Sequence, residues 1–134
     1  MTIRNRKSAR HPAPSGLEQA VLEFLWTHGP ATAEAVREGL ARRHNLKDAT
    51  VRTLLRRLEQ KGYAGHEEQG RTYVWRALER RRSLAARLLR ELAERFCQGS
   101  VEELVTAMVE DEVIDPRELR ELARRLERER DGRR

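Results

Sequence analysis

The chain has 134 residues, of which 38% are hydrophobic and 37% are charged, and its formal net charge at pH 7 is +6. So little apolar material gives a thin core, which favours burial of further surface between subunits. No apolar run approaches the roughly 20 residues of a membrane-spanning helix, and no signal-peptide hydrophobic region follows the N-terminus. The single cysteine excludes an intramolecular disulfide framework, so we expect a soluble protein of the reducing cytoplasm.

The positive charge is concentrated in the first part of the chain. Residues 1–76 hold 14 Lys or Arg and 8 Asp or Glu, whereas residues 77–134 hold 14 of each kind. Because a one-sided basic charge attracts polyanions, the first part is expected to bind nucleic acid. Residues 1–15 are basic, contain two prolines and have almost no large apolar residue, so they are predicted to form a disordered arm. This arm is either a solvated tail or a transient contact to phosphates or the minor groove.

Two short helices are predicted after the arm. Apolar residues at helical spacing mark the first helix, which ends at a Gly-Pro pair: Leu17, Val21, Phe24 and Leu25. Thr32 is expected to cap the second helix, which turns Val36 and Leu40 inward. A few residues then connect to a third helix, and this arrangement is typical of a helix-turn-helix.

The third predicted helix, from Asp48 to Gly62, has two chemically different faces. Its apolar face contains Val51, Leu54, Leu55 and Leu58, and its other face contains Ala49, Thr53, Arg56 and Gln60, flanked by Arg52 and Arg57. Asp48 is expected to be the N-cap and Gly62 the C′ residue. A helix with one basic, hydroxyl-bearing face suits the major groove of DNA.

The polar side chains of this region can be divided into base and phosphate contacts. Arginine can bond bidentately to guanine and the threonine methyl can contact thymine, so Arg52 and Thr53, near the helix N-terminus, are expected to read bases. The expected phosphate contacts are Lys47, Arg56, Arg57, Lys61 and Arg71. The alternative is that these side chains are simply solvated.

A β-hairpin is predicted after the third helix. Tyr63–His66 and Thr72–Arg76 form its strands around Gln69-Gly70, with Arg71 near the tip. Three helices and a hairpin make a winged helix, which we place at residues 16–77. The expected fold class is therefore mainly α with a small β-hairpin wing, a winged helix-turn-helix domain followed by a helical module.

Residues 78–131 are predicted to form a three-helix dimerisation domain. A capping box begins at Ser100, and Asp115-Pro116 starts the last helix. The apolar stripes expected at the dimer interface contain Leu84, Leu88, Leu92, Phe96, Leu104, Val105, Met108, Leu119, Leu122 and Leu126. Three amphipathic helices this short expose more apolar surface than they can bury among themselves. The alternative is that they fold back on the winged helix.

Other classes of function have little support in the sequence. The four histidines lie in different predicted elements, and neither a Gly-rich phosphate loop nor a catalytic Ser/His/Asp order is present. We therefore expect neither enzyme activity nor a bound metal or cofactor. A sequence-specific DNA-binding repressor is favoured over two alternatives, a winged-helix adaptor for protein partners and a nonspecific architectural DNA binder.

Several segments together resemble the penicillinase-repressor family, bacterial repressors of β-lactamase and methicillin-resistance genes. They are Ala20–Trp26, Gly29-Pro30, Thr50–Leu58, Lys61–Tyr63, Gly70–Trp75 and Gly99–Val105, and the resemblance extends over roughly residues 17–127. It implies a homodimer bound to a palindromic operator that controls β-lactamase or related cell-envelope and antibiotic-response genes. It also implies base contacts by Thr50, Arg52, Thr53 and Arg57, and by Ala49 where some members carry a basic side chain.

The resemblance also implies a way of lifting repression. In the family, signalling by a membrane sensor leads to cleavage within the dimerisation module, so a regulatory protease or sensor system is an expected partner. The corresponding bond joins Ala107 to Met108, where the best-known members have Asn-Phe.

Overall fold

A computed structural model describes residues 12–133, so the basic residues of the predicted N-terminal arm lie outside the described residues. The elements are α1 (Gly16–His28), α2 (Ala33–Leu40), α3 (Asp48–Gln60), β1 (Ala64–Gln69), β2 (Thr72–Ala77), α4 (Arg81–Phe96), α5 (Val101–Glu110) and α6 (Pro116–Gly132). The predicted fold class, mainly α with a two-stranded hairpin, is confirmed. The chain divides into two units, of which the first ends at Leu88 and the second begins at Leu89.

The division between the units lies inside α4, not before it as predicted. Leu84 is only 4% exposed and belongs to the core of the first unit, and Leu88 packs against that core. The first turns of α4 therefore belong to the winged-helix unit. The predicted boundary at residue 78 lies before this division.

Residues 12–15 are attached to the winged helix. The Ser15 hydroxyl accepts from the backbone N–H of Glu18, and the Glu18 carboxylate accepts from the backbone N–H of Ser15, which makes a capping box for α1. The Tyr63 hydroxyl donates to the carbonyl of Pro12 at 2.6 Å. These hydrogen bonds correct the prediction of disorder for the last four residues of the arm.

The ends of α2 and α3 follow local hydrogen-bonding rules. The Thr32 hydroxyl accepts from the N–H of Ala35 and caps α2, as predicted. Lys47, not Asp48, occupies the N-cap position of α3, and Asp48 is the first helical residue. Gly62, at φ 87°, takes the predicted C′ position of α3. The N–H of Tyr63 donates to the carbonyl of Leu58, which completes a Schellman motif.

The core of the first unit lies between α1, α2, α3 and the hairpin. All four predicted inward residues of α3 are buried there: Val51, Leu54, Leu55 and Leu58. They pack with Val21 and Leu22 of α1, Val36 of α2, and Tyr63 and Trp75. The buried side of α3 fixes its rotation about its own axis, and this determines which side chains remain exposed.

The wing is an antiparallel hairpin in which Ala64 pairs with Ala77 and Gln69 pairs with Thr72. Gly70, at φ 65°, is the first residue of the two-residue connection, where a type II′ turn favours glycine. Ala31, between α1 and α2, exchanges two backbone hydrogen bonds with Trp75. This isolated bridge attaches the wing to the helices and was not predicted from the sequence.

The second unit contains the end of α4 together with α5 and α6. Ser100 caps α5, and Asp115 with Glu118 forms the capping box of α6. All residues of α5 and α6 are exposed or half-buried. Large exposed apolar side chains of this unit are Leu89, Leu92, Phe96, Val101, Val113 and Leu126. Within residues 12–133, each helix is too short or too polar to cross a membrane.

Candidate nucleic-acid interface

The outward face of α3 is accessible along most of its length. Its exposed residues are Ala49, Arg52, Thr53, Arg56, Arg57 and Gln60, whereas Thr50 is half-buried. The opposite face is buried in the core, so the helix presents only one side to a ligand. Arg52 and Thr53, the two side chains selected as base readers, are therefore exposed.

A cleft of about 910 Å³ lies beside the N-terminal half of α3. Residues of α2, α3 and the wing line it, and its basic members are Arg37, Lys47, Arg52, Arg56 and Arg71. Glu34, Asp48 and Glu68 are its acidic members. Several cations in one cleft can contact several phosphates while a neighbouring helix approaches base edges.

Arg52 lies one helical turn after Asp48, and the two side chains form an ion pair. The distance from Arg52 Nε to Asp48 Oδ2 is 3.3 Å, and the side chains are 59% and 52% exposed. An ion pair this exposed adds little to stability. It does restrict the directions in which the guanidinium of Arg52 can point.

Thr53 presents its methyl group rather than a free hydroxyl hydrogen. Its Oγ1 donates to the carbonyl of Ala49 at 3.0 Å, one turn earlier in α3. The hydroxyl hydrogen is thus used inside the helix, and the oxygen can only accept from a ligand. Methyl groups at Ala49 and Thr53 suit contact with the methyl of thymine.

Lys61, which was predicted to contact a phosphate, pairs with a buried carboxylate of α1. Its Nζ lies 2.7 Å from Oε1 of Glu18, and the Glu18 side chain is only 2% exposed. A lysine that neutralises a buried carboxylate would leave that charge unpaired if it turned to a phosphate. This pair argues against the predicted phosphate contact by Lys61, and it joins the end of α3 to the start of α1.

The carboxylate of Glu18 remains ionised despite its burial. Burial would raise its pKa, but the hydrogen bonds from Lys61 and the Ser15 N–H outweigh that effect. The positive charge of nearby Arg57 acts in the same direction, so the pKa of Glu18 lies below its ordinary value of 4.5. Arg57 is therefore close to Glu18, about 140° around the helix axis from Arg52.

Arg37 of α2 is the site residue that sequence reasoning missed. It lines the same cleft as Arg52 and Arg71. In the sequence, Arg37 is marked only by its position next to Val36, which is buried. That position does not show that α2 and the wing line the same cleft. Its guanidinium is a third candidate phosphate contact beside those of Arg56 and Arg71.

The residues predicted for the dimer interface fall into three groups. In the first unit, Leu84 is buried and Leu88 is half-buried. Leu84 is thus part of the core of its own subunit and is not exposed for contact with a second subunit. Leu92, Phe96 and Leu126 are exposed in the second unit. The remaining members are half-buried there: Leu104, Val105, Met108, Leu119 and Leu122.

The bond between Ala107 and Met108 lies in the last turn of α5. The carbonyl of Ala107 accepts from the N–H of Asp111 at 2.9 Å, and the carbonyl of Met108 accepts from the N–H of Val113 at 2.8 Å. The bond is thus part of a regular helix that ends in a hydrogen-bonded turn.

Known proteins resemble this chain over most of its length. The penicillinase repressor of Bacillus licheniformis is 25% identical over 116 residues, which cover 87% of this chain and 91% of that protein. A solution structure of B. licheniformis BlaI, in its monomeric form in complex with the blaP half-operator, is 28% identical. It aligns with 51% of this chain and 83% of that chain at a TM-score of 0.44. A MarR family protein from Bacillus stearothermophilus is 20% identical, with 92% and 82% covered and a TM-score of 0.47.

The sequence profile of penicillinase repressors matches residues 14–128. The match includes α1 to α3, the wing and all of α4 and α5, and it reaches into α6. The chain therefore belongs to the penicillinase repressor family and is a winged-helix, DNA-binding transcriptional regulator.

Proposed function

We propose that this protein represses transcription as a homodimer that binds a palindromic operator, with α3 of each subunit in a major groove. The observation that carries the proposal is the exposed basic face of α3 beside a cleft that also contains Arg37 and Arg71. Base readout is assigned to Arg52 and Thr53, with Ala49 and Thr50 beside them. Phosphate contacts are assigned to Arg37, Lys47, Arg56 and Arg71.

Arg57 is assigned to the edge of the DNA interface. It is exposed, but it lies on the side of α3 that is close to Glu18, away from the cleft. A base contact by Arg57 requires the groove to extend around the C-terminal half of α3. Arg57 is therefore proposed to contact a base at that edge of the interface.

The homodimer proposal rests on the apolar side chains of the second unit. Phe96 is 72% exposed, Val113 is 69% exposed and Leu126 is 52% exposed. Burial of one such side chain contributes about 1.5–3 kcal/mol, so a few of them can drive association. Two linked half-sites also bind more tightly than one, because the second binding event becomes intramolecular.

The regulated genes are proposed to encode a β-lactamase or a related cell-envelope or antibiotic-response protein. Support comes from the penicillinase repressor of B. licheniformis, which the chain covers over 91% of its length. A membrane sensor and a protease are proposed as partners that end repression by cleaving between Ala107 and Met108. Because this bond lies in a helical turn, the last turn of α5 must open before a protease can bind it.

Binding-site selection from random duplex DNA tests the proposal. Purified protein should enrich an inverted repeat whose half-sites are separated by about one helical turn, roughly 10 bp. A gel shift with the enriched duplex and a scrambled duplex then measures the preference at one salt concentration. Failure to enrich any sequence would contradict the proposal and favour a nonspecific DNA binder or an adaptor.

A further inference from the structure

The DNA-facing cleft contains an acidic residue where repulsion from phosphates should make it unfavourable. Asp48 is the first residue of α3 and is 52% exposed. It lines the cleft together with Arg52, whose Nε lies 3.3 Å from its Oδ2. A protein that bound DNA only through phosphates would bind more tightly without this negative charge.

The geometry of the ion pair leaves useful donors on Arg52. The guanidinium has five N–H donors in a planar fork, and Asp48 occupies the Nε side of that fork. Each terminal amino group also has one N–H on the edge of the fork that faces away from Nε. A bidentate contact to O6 and N7 of guanine needs two parallel donors of this kind.

The helix dipole favours an acid in the first turn of α3, but it does not explain why an arginine follows Asp48 one turn later. Exposed pairs separated by one helical turn stabilise a helix only slightly, and a negative charge weakens attraction to the DNA backbone. A role of Asp48 in orienting Arg52 does explain the pair. A long arginine side chain loses much rotamer freedom when it binds a base edge. An ion pair that forms before DNA binds has already restricted part of that freedom, so the entropy cost of binding is smaller.

We propose that Asp48 is a positioning residue that holds Arg52 for bidentate recognition of one guanine in each half-site. This inference rests on the proposed function, since it requires sequence-specific binding through α3. Asp48 raises discrimination at that one base pair and lowers affinity for DNA of any other sequence. The operator is therefore expected to contain a guanine whose recognition depends on both residues.

The test begins with binding-site selection on the unmodified protein and on Arg52→Ala, which identifies the guanine that Arg52 reads. Asp48→Ala should then lower the preference for that guanine about tenfold and leave preferences at other positions unchanged. The same variant should bind scrambled duplex more tightly. Asp48→Glu keeps a carboxylate one turn before Arg52 and should retain most of the preference.

Glu34→Ala is the matched control, because Glu34 is another acid of the same cleft on a different helix. It should increase binding to scrambled duplex without changing the preference for the guanine. Thermal unfolding of each variant separates these effects from a loss of helix stability, which would weaken binding to every duplex equally.

The outcomes distinguish this inference from the function on which it rests. If the unmodified protein enriches no sequence, the proposed function fails. If it enriches a sequence but Asp48→Ala keeps the full guanine preference, the positioning role is wrong and the repressor function stands. A selected site without a guanine that depends on Arg52 also overturns the positioning role.

Discussion

Lys61 and Glu18 form an ion pair of 2.7 Å that joins the end of α3 to the beginning of α1. The two residues are 43 positions apart in the sequence, and the carboxylate is almost completely buried. The same carboxylate accepts the N–H of Ser15 in the capping box of α1. One side chain thus caps α1 and holds the end of α3 against it.

Removal of the lysine charge should destabilise the winged helix. We expect Lys61→Met to lower the free energy of unfolding by about 2 kcal/mol, because Glu18 would remain buried without its cation. Adding Glu18→Gln to this variant should cost less than the sum of the single changes, since both remove the same pair. Urea unfolding measures all three variants, and Lys47→Met at the exposed N-cap of α3 is the control. A strictly additive double variant would show that the pair is not coupled.

The stability of the protein should depend on pH through Glu18. Its folded-state pKa lies below the ordinary value of 4.5, so its stabilisation is fully present above pH 4.5 and is lost as pH falls through the folded-state pKa. The difference in unfolding free energy between unmodified protein and Glu18→Gln should therefore decrease as the pH is lowered below that value. Chemical denaturation at a series of acidic pH values measures the difference. A constant difference would rule out a depressed pKa.

Phosphate contacts and base contacts should respond differently to substitution. Arg71→Ala and Arg37→Ala should weaken binding to all duplexes and each reduce the salt slope of log K by about 0.9. Arg52→Ala should instead weaken specific binding and relax the preference for one base. Titrations at several salt concentrations, with operator and scrambled DNA, measure both effects. Equal loss of specificity from Arg71→Ala and Arg52→Ala would overturn these roles.

Association of two chains should depend on the exposed apolar residues of the second unit. Phe96→Asp places a charge at a side chain that is 72% exposed, so the single chain should still fold. A dimer would bury that charge, so the variant should sediment as a monomer and bind the full operator more weakly. Tyr73→Ser, an exposed change on the wing, should keep the dimer. An unchanged sedimentation coefficient for Phe96→Asp would exclude this face from the subunit contact.

Gly39 should be intolerant of any side chain. A Cβ atom there would clash with Cε2 of the Phe24 ring, which packs against the core and contacts His28. Gly39→Ala must displace that ring, and we expect a loss of about 1–3 kcal/mol in unfolding free energy. Gly16→Ala, which meets no atom within 4 Å, is the control in the same unit and should leave stability unchanged or slightly higher. Equal stability of the two variants would show that the Phe24 ring repacks freely.

Most of the predictions that depended on a local physical cause were correct. The period of the apolar residues in α3 identified its buried face, and Gly62 identified its end, because each depends only on residues a few positions apart. Thr32 and Asp115 were recognised as caps for the same reason. Local rules were less reliable at the start of α3, where Lys47 replaces the expected cap Asp48.

The sequence by itself determined that this protein has one amphipathic, basic helix followed by a hairpin, the part proposed to read DNA. Only the tertiary structure decided which of its cations are free to act there. Lys61 is bound to Glu18 while Arg37 joins the cleft, and both outcomes depend on how α1, α2 and the wing pack around α3. Periodicity reveals which side of a helix is buried, but a charge pair between elements forms only when packing brings distant residues within a few ångströms.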